Sequence, residues 1–208
     1  MSTPLGSLEV LASGSRLAGL RRVTRETDVT VHLRLDGEGR AEIATGIGFL
    51  DHLLTSLAHH ALIDLTIAAR GDLEVDEHHT TEDVALVLGA ALDAALGDRF
   101  GIRRFGDASV PMDEALATAA IDVGGRPYAV IDLPFLGERV GTLPTQLIEH
   151  ALEAFARSSG STLHVRGTGR NDHHLAEAAF KALARALRVA CEVDPRRTGV
   201  ASTKGTAS

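Results

Sequence analysis

The fold class predicted is α+β by duplication, with two ββαβα half-domains that each pack helices on one face of a sheet. Two observations predict it. The pair His78-His79 followed by Glu82 recurs as His173-His174 followed by Glu177, every member displaced by the same 95 residues. Asp51-His52 recurs as Glu149-His150 with an offset of 98, and the apolar patterning around both motifs runs in the same order.

The first half spans residues 21–100. Val29, Val31, Leu33 and Leu35 alternate and lead through Asp36-Gly37-Glu38-Gly39 into Ala41-Glu42-Ile43, a candidate hairpin. From Phe49, one helical stripe carries Leu50, Leu53, Leu54, Leu57 and Ala61, with His52, Ser56 and His60 off it. A short strand over Leu65 to Ala68 precedes a helix expected over residues 78–96. In the second half, residues 101–195, Ala117, Ala119, Ile121 and Val123 lead through Gly124-Gly125-Arg126-Pro127 into Tyr128 to Leu133. Leu147, Ile148, Ala151, Leu152 and Phe155 then form the helical stripe, Thr162 to Val165 the strand, and the segment from His173 the last helix. Residues 1–20 read as a frayed N-terminal extension, and residues 196–208 as a C-terminal tail.

With 44% hydrophobic residues the chain can bury a sizeable interior, filled mainly by Ala, Leu, Val and Ile because aromatics reach only 3%. The single cysteine, Cys191, excludes an intramolecular disulfide framework and fits a reducing cytoplasm. There is no apolar run of membrane-spanning length, and residues 1–20 lack the pattern of a signal peptide. A formal charge of −7 argues against a nucleic-acid binder, because phosphate backbones are held by clustered cations. It does not exclude a small anionic substrate. Arg104, Arg126, Lys181 and Lys204 sit at turns or termini, and Ser202-Thr203-Lys204-Gly205 has the hydroxyl, ammonium and glycine content of a phosphate clamp.

Neutral imidazole and carboxylate are the usual protein ligands of Zn, Mn, Fe and Ni. On a helix, residues four apart share a face, so His78 with Glu82, and His173 with Glu177, can each reach one ion. His79 and His174 are turned by about 100° and face another ion. The duplication therefore reads as one composite site, in which a neighbouring subunit can supply the outlying ligands. No His-Glu-x-x-His, nucleophile elbow, Cys-x-x-Cys or Walker-type loop is present, and His32, His59 and His164 are read as structural.

Five segments carry a family resemblance: Gly-Ile-Gly-Phe-Leu-Asp-His-Leu-Leu at 46–54, Asp-Glu-His-His-Thr-Thr-Glu-Asp at 76–83, Pro-Met-Asp-Glu-Ala-Leu at 111–116, Asn-Asp-His-His-Leu-Ala-Glu-Ala-Ala-Phe-Lys at 171–181 and Ser-Thr-Lys-Gly at 202–205. Together they resemble the imidazoleglycerol-phosphate dehydratases, over roughly residues 21–205. The resemblance implies a lyase of histidine biosynthesis, two Mn2+ per active site, and a homo-oligomer of twenty-four subunits with active sites at their interfaces. It also implies a fold like the second domain of ribosomal protein S5.

Carried over by position, the metal ligands are His52, His78, His79, Glu82, His150, His173, His174 and Glu177. The ligands other than His150 also belong to the substrate site, together with Glu26, His60, Arg104, Arg126, Lys181, Ser202, Thr203 and Lys204. Gly48, Gly124 and Ala201 stand where the family usually has Pro, Ser and Pro. Glu26 belongs to no repeat triplet, so it is assigned to acid-base work on a substrate whose dehydration passes through an imidazolate and a diazafulvene-like species. The rival reading is a dinuclear metallohydrolase acting on a small phosphorylated substrate.

Overall fold

The computed structural model describes residues 8–206. The first half contributes β1 (Leu8–Gly14), β2 (Leu17–Val23), β3 (Thr27–Arg34), β4 (Ala41–Ala44), α1 (Gly48–Ala61), β5 (Asp64–Gly71) and α2 (His78–Leu96). The second contributes β6 (Phe105–Met112), β7 (Ala115–Asp122), β8 (Tyr128–Asp132), a short ribbon of β9 (Arg139–Val140) and β10 (Leu143–Pro144), α3 (Thr145–Ser158), β11 (Thr162–Thr168) and α4 (Asp172–Cys191). Along β3 the alternation predicted from sequence is realised: Val29, Val31 and Leu33 are buried while His32 and Arg34 face out.

The two sheets have equivalent orders, β1-β2-β3-β5-β4 and β6-β7-β11-β8. Neither expected hairpin forms. In the first half β5 lies between β3 and β4, antiparallel to β3 from Thr27↔Gly71 to Arg34↔Asp64 and parallel to β4. In the second half β11 separates β7 from β8 in the same manner. The physical reason is the helix that follows each short strand: α1 and α3 carry the chain back to lay the next strand parallel to the last, a crossover that a two-residue turn cannot make.

Residues 8–20 are not frayed. β1 and β2 pair antiparallel, β2 closes the free edge of β3, and Ala18 and Leu20 are buried. Residues 1–7 of the expected extension lie outside the described residues. The strand β6 was likewise absent from the expected pattern because Gly106 and Pro111 interrupt it. Pro111 is tolerated on an edge strand. Gly106 is required by packing, since a Cβ there would stand 2.0 Å from the Ala186 carbonyl oxygen of α4.

Helix packing positions the site. In each half the His-His helix covers its own sheet, α2 over β2 and β3, and α4 over β6 and β7. The other two helices cross over, α1 packing on α4 and α3 on α2. Fully buried Ala186 and Ala190 let α4 lie close on β6 at Gly106, while Phe180 and Leu183 share an interior space with Leu50, Leu54 and Leu57 of α1. Leu53, Leu152 and Leu183 fill the interior between the halves, each stabilising it by roughly 1.5–3 kcal/mol. Among the described residues, no helix is long and apolar enough to cross a membrane.

Candidate metal centre

Both ligand-bearing helices begin under local control. The backbone N–H of His78 donates to Asp76 Oδ1 at 2.7 Å, and those of His173 and His174 donate to Asn171 Oδ1 at 3.0 and 3.5 Å. Asp76 and Asn171 are themselves related by the 95-residue offset, so the turn that opens each helix is duplicated along with its ligands.

The i, i+4 pairs come together as expected, but each is completed from the other half. His173, Glu177 and His52 form one triad, and His78, Glu82 and His150 the other, with the candidate ligand atoms within 4.8 Å of one another in each. The cause is the helix crossing, because α1 delivers His52 to α4 and α3 delivers His150 to α2. Which imidazole joins which pair, left open by the sequence, is thus decided by the helix crossing.

In the second-half triad, Glu177 Oε1 is 2.8 Å from both His52 Nε2 and His173 Nε2, and its Oε2 is 2.6 Å from Lys181 Nζ. Burial disfavours this charge, yet hydrogen bonds from Lys181, His52 and His173 outweigh it and hold the carboxyl at about 2. Phe49 walls the triad, its ring centroid 5.0 Å from that of His173. His60 lies nearby, and burial together with His59, Lys181 and Arg185 pushes its pKa down.

The first-half triad is looser. The His78 and His150 rings are 5.0 Å apart between centroids, and Glu82 Oε1 is 3.4 Å from His150 Nε2 and 3.2 Å from Arg157 Nη2. His150 Nε2 is buried without a hydrogen-bond partner. A buried nitrogen lone pair facing a carboxylate and a second imidazole is the donor set a divalent ion requires, so these residues fit a metal.

His79 and His174 point away from the triads of their own chain. His79 Nδ1 is 3.0 Å from Asp72 Oδ2, and His174 Nδ1 is 2.9 Å from Glu114 Oε2. These hydrogen bonds raise the pKa of both imidazoles, and the Glu114 carboxyl is drawn down to about 2 by His174 and by backbone N–H donors. Neither carboxylate partner was singled out from sequence. Glu26, on the β2–β3 turn, has Oε2 3.8 Å from His79 Nε2.

The basic residues divide into two places. Lys181 stands at the second triad, whereas Arg104, Arg126, Ser202, Thr203 and Lys204 line a cleft with Arg197 at the other end of α4. Arg104 is not a free cation: Nε and Nη2 bind Asp122 at 2.7 and 2.9 Å, and Nη1 donates to the Ala201 carbonyl at 2.7 Å. It ties the C-terminal tail to β7. The backbone N–H of Arg104 meets the Ala190 carbonyl, thirteen residues along the helix from Glu177 or about 20 Å. Within one chain, therefore, the cleft and the second-half triad are well apart.

A family model described as imidazoleglycerol-phosphate dehydratase matches residues 45–187. The chain belongs to the imidazoleglycerol-phosphate dehydratase family. Relatives bearing that name include one from Granulibacter bethesdensis, 58% identical over 92% of this chain and 98% of the relative. A chloroplastic one from Pisum sativum is 54% identical over 93% of this chain and 70% of its own length. Among solved structures, the dehydratase of Staphylococcus aureus superposes with a TM-score of 0.78 at 35% identity, covering 86% of this chain and 99% of that one. The Pyrococcus furiosus structure, a complex with (S)-C348, gives 0.77 at 38%, covering 89% and 99%. As a dehydratase of this family the chain is a hydro-lyase of histidine biosynthesis, acting on imidazoleglycerol phosphate, and the hydrolase reading falls away.

Proposed function

We propose that each triad contributes to one of two Mn2+ ions per active site, and that this cytoplasmic dehydratase works as a homo-oligomer of twenty-four chains whose sites are completed between subunits. The carrying observation is spatial: the second-half triad lies about 20 Å along α4 from the basic cleft, and His79 and His174 face away from both triads. A substrate holding an imidazole and a phosphate within one small molecule cannot span that distance in a single chain. A second subunit's cleft, and its outlying imidazoles, would bring the two chemistries together.

His52, His173 and Glu177, and His78, Glu82 and His150, would hold divalent ions whose Lewis acidity would lower the pKa of the substrate's imidazole. The chain's own groups do the rest. Arg126, Ser202, Thr203 and Lys204 grip the phosphate, with Arg104 holding the tail in place. His60 and Lys181 line the ring end beside Glu177. The C–O bond breaks at the carbon attached to the ring, and the neighbouring carbon loses its hydrogen. Glu26 accepts that proton and returns it to the ring-bearing carbon of the resulting enol, whose hydroxyl proton joins the departed hydroxide as water to leave the ketone.

The test is to incubate Mn2+-loaded protein with imidazoleglycerol phosphate and follow ketone formation, with the assembly's mass measured by light scattering. Activity should vanish on chelation and on dissociation into single chains. Turnover by isolated chains would sink the shared-site reading.

A further inference from the structure

The two histidines outside the triads are each backed by a carboxylate at Nδ1, but the carboxylates come from different places in the repeat. Glu114 precedes β7, and its Oε1 also accepts the backbone N–H groups of Arg170 and Asn171 at 3.0 and 2.8 Å, fixing the entry to α4. Asp72 follows β5, and its carbonyl accepts the N–H of Val75 at 2.8 Å. The first-half counterpart of Glu114 is Glu26: it precedes β3 as Glu114 precedes β7, displaced by 88 residues. Glu26 is therefore not outside the repeat, as its absence from the triplets suggested.

Its geometry differs from that of its twin. Glu26 is 3.8 Å from Nε2 of His79, the nitrogen opposite the one held by Asp72, and its side chain is 54% exposed. An imidazole that donates Nδ1–H to a carboxylate keeps its Nε2 lone pair for an ion, and the partner fixes the ring's orientation. We infer that Asp72 and Glu114 are positioning residues that hold His79 and His174 with Nε2 presented to an ion. Asp72 takes this task in the first half, which leaves Glu26 3.8 Å from His79 Nε2, the place that Asp113 takes at 3.8 Å from His174 Nε2 in the second half. The inference rests on the metal reading above.

Purified full-length protein stripped of metal is titrated with Mn2+, free ion being followed by electron paramagnetic resonance, and melting is recorded before and after loading. Glu114→Gln and Asp72→Asn should each bind Mn2+ roughly 10–100-fold more weakly than wild type. Glu26→Gln should bind as wild type does. A merely structural role would lower the melting temperature of the metal-free variants and leave the Mn2+ dissociation constant alone. Should Glu114→Gln lose metal-free stability through its backbone contacts, Asp72→Asn decides the point. Dissociation constants within about twofold of wild type in Asp72→Asn and Glu114→Gln overturn the inference alone. A wild-type protein that takes up no Mn2+ overturns the metal reading, and the inference with it.

Discussion

Glu177 and Glu82 occupy the same place in the two copies, yet their carboxylates stand in different surroundings. Glu177 is 6% exposed and carries its own cation one helical turn later, Lys181, while the corresponding position after Glu82 is Leu86. Glu82 is half-buried and borrows Arg157 from α3. Duplication has thus preserved the ligands without preserving the counter-charge. In the second-half triad Glu177 holds both imidazoles at 2.8 Å, whereas His150 Nε2 of the first-half triad is buried without a hydrogen-bond partner.

The sharpest way to separate the halves is through the twin glutamates. Glu26→Gln should lower kcat by about 10²–10⁴-fold with metal content unchanged, measured by steady-state assay and elemental analysis. Retained activity would remove Glu26 from proton transfer. Next in size is the crossed pairing. His52→Ala should cost the ion associated with Glu177, and His150→Ala the ion associated with Glu82, each leaving about half of the bound Mn2+. If either variant keeps both ions, the cross-half triads are not the binding units.

A smaller effect probes the counter-charge. Glu177 has a lowered folded pKa, so its contribution is present above the ordinary carboxyl range and is lost as pH falls from about 4.5 towards 2. Lys181→Met should cost about 1.5–3 kcal/mol at neutral pH in the metal-free protein and move acid unfolding to higher pH. Arg157→Met, with its side chain 58% exposed, should cost less than about 1 kcal/mol. Equal losses in the two variants, read from urea melts, would erase the asymmetry.

Much of this was legible in the sequence because it is local. The helical stripes of α1 and α3 and the i, i+4 pairing of His78 with Glu82 depend on residues within one or two turns. What depends on distant pairing was not. The insertion of β5 between β3 and β4 follows from where α1 returns the chain, and no turn residue signals it. β2 hid behind Arg21 and Arg22, cations that break the apolar alternation; Arg21 binds Asp28 at 2.8 Å. Glu114 meets His174 across 60 residues, and only the folded register of β7 beside α4 brings them together. Arg104 had the composition of an anion-gripping residue, yet its donors are engaged by Asp122 and the Ala201 carbonyl.

The exchange of ligands between the halves is reciprocal: α1 of the first copy serves the second, and α3 of the second serves the first. Reciprocity of that kind is what a two-fold axis imposes, each partner lending the other the same element. A single half of this chain, paired with a copy of itself across such an axis, would form both triads as identical copies. Joined in one chain the copies need not match, as Lys181 and Leu86 do not.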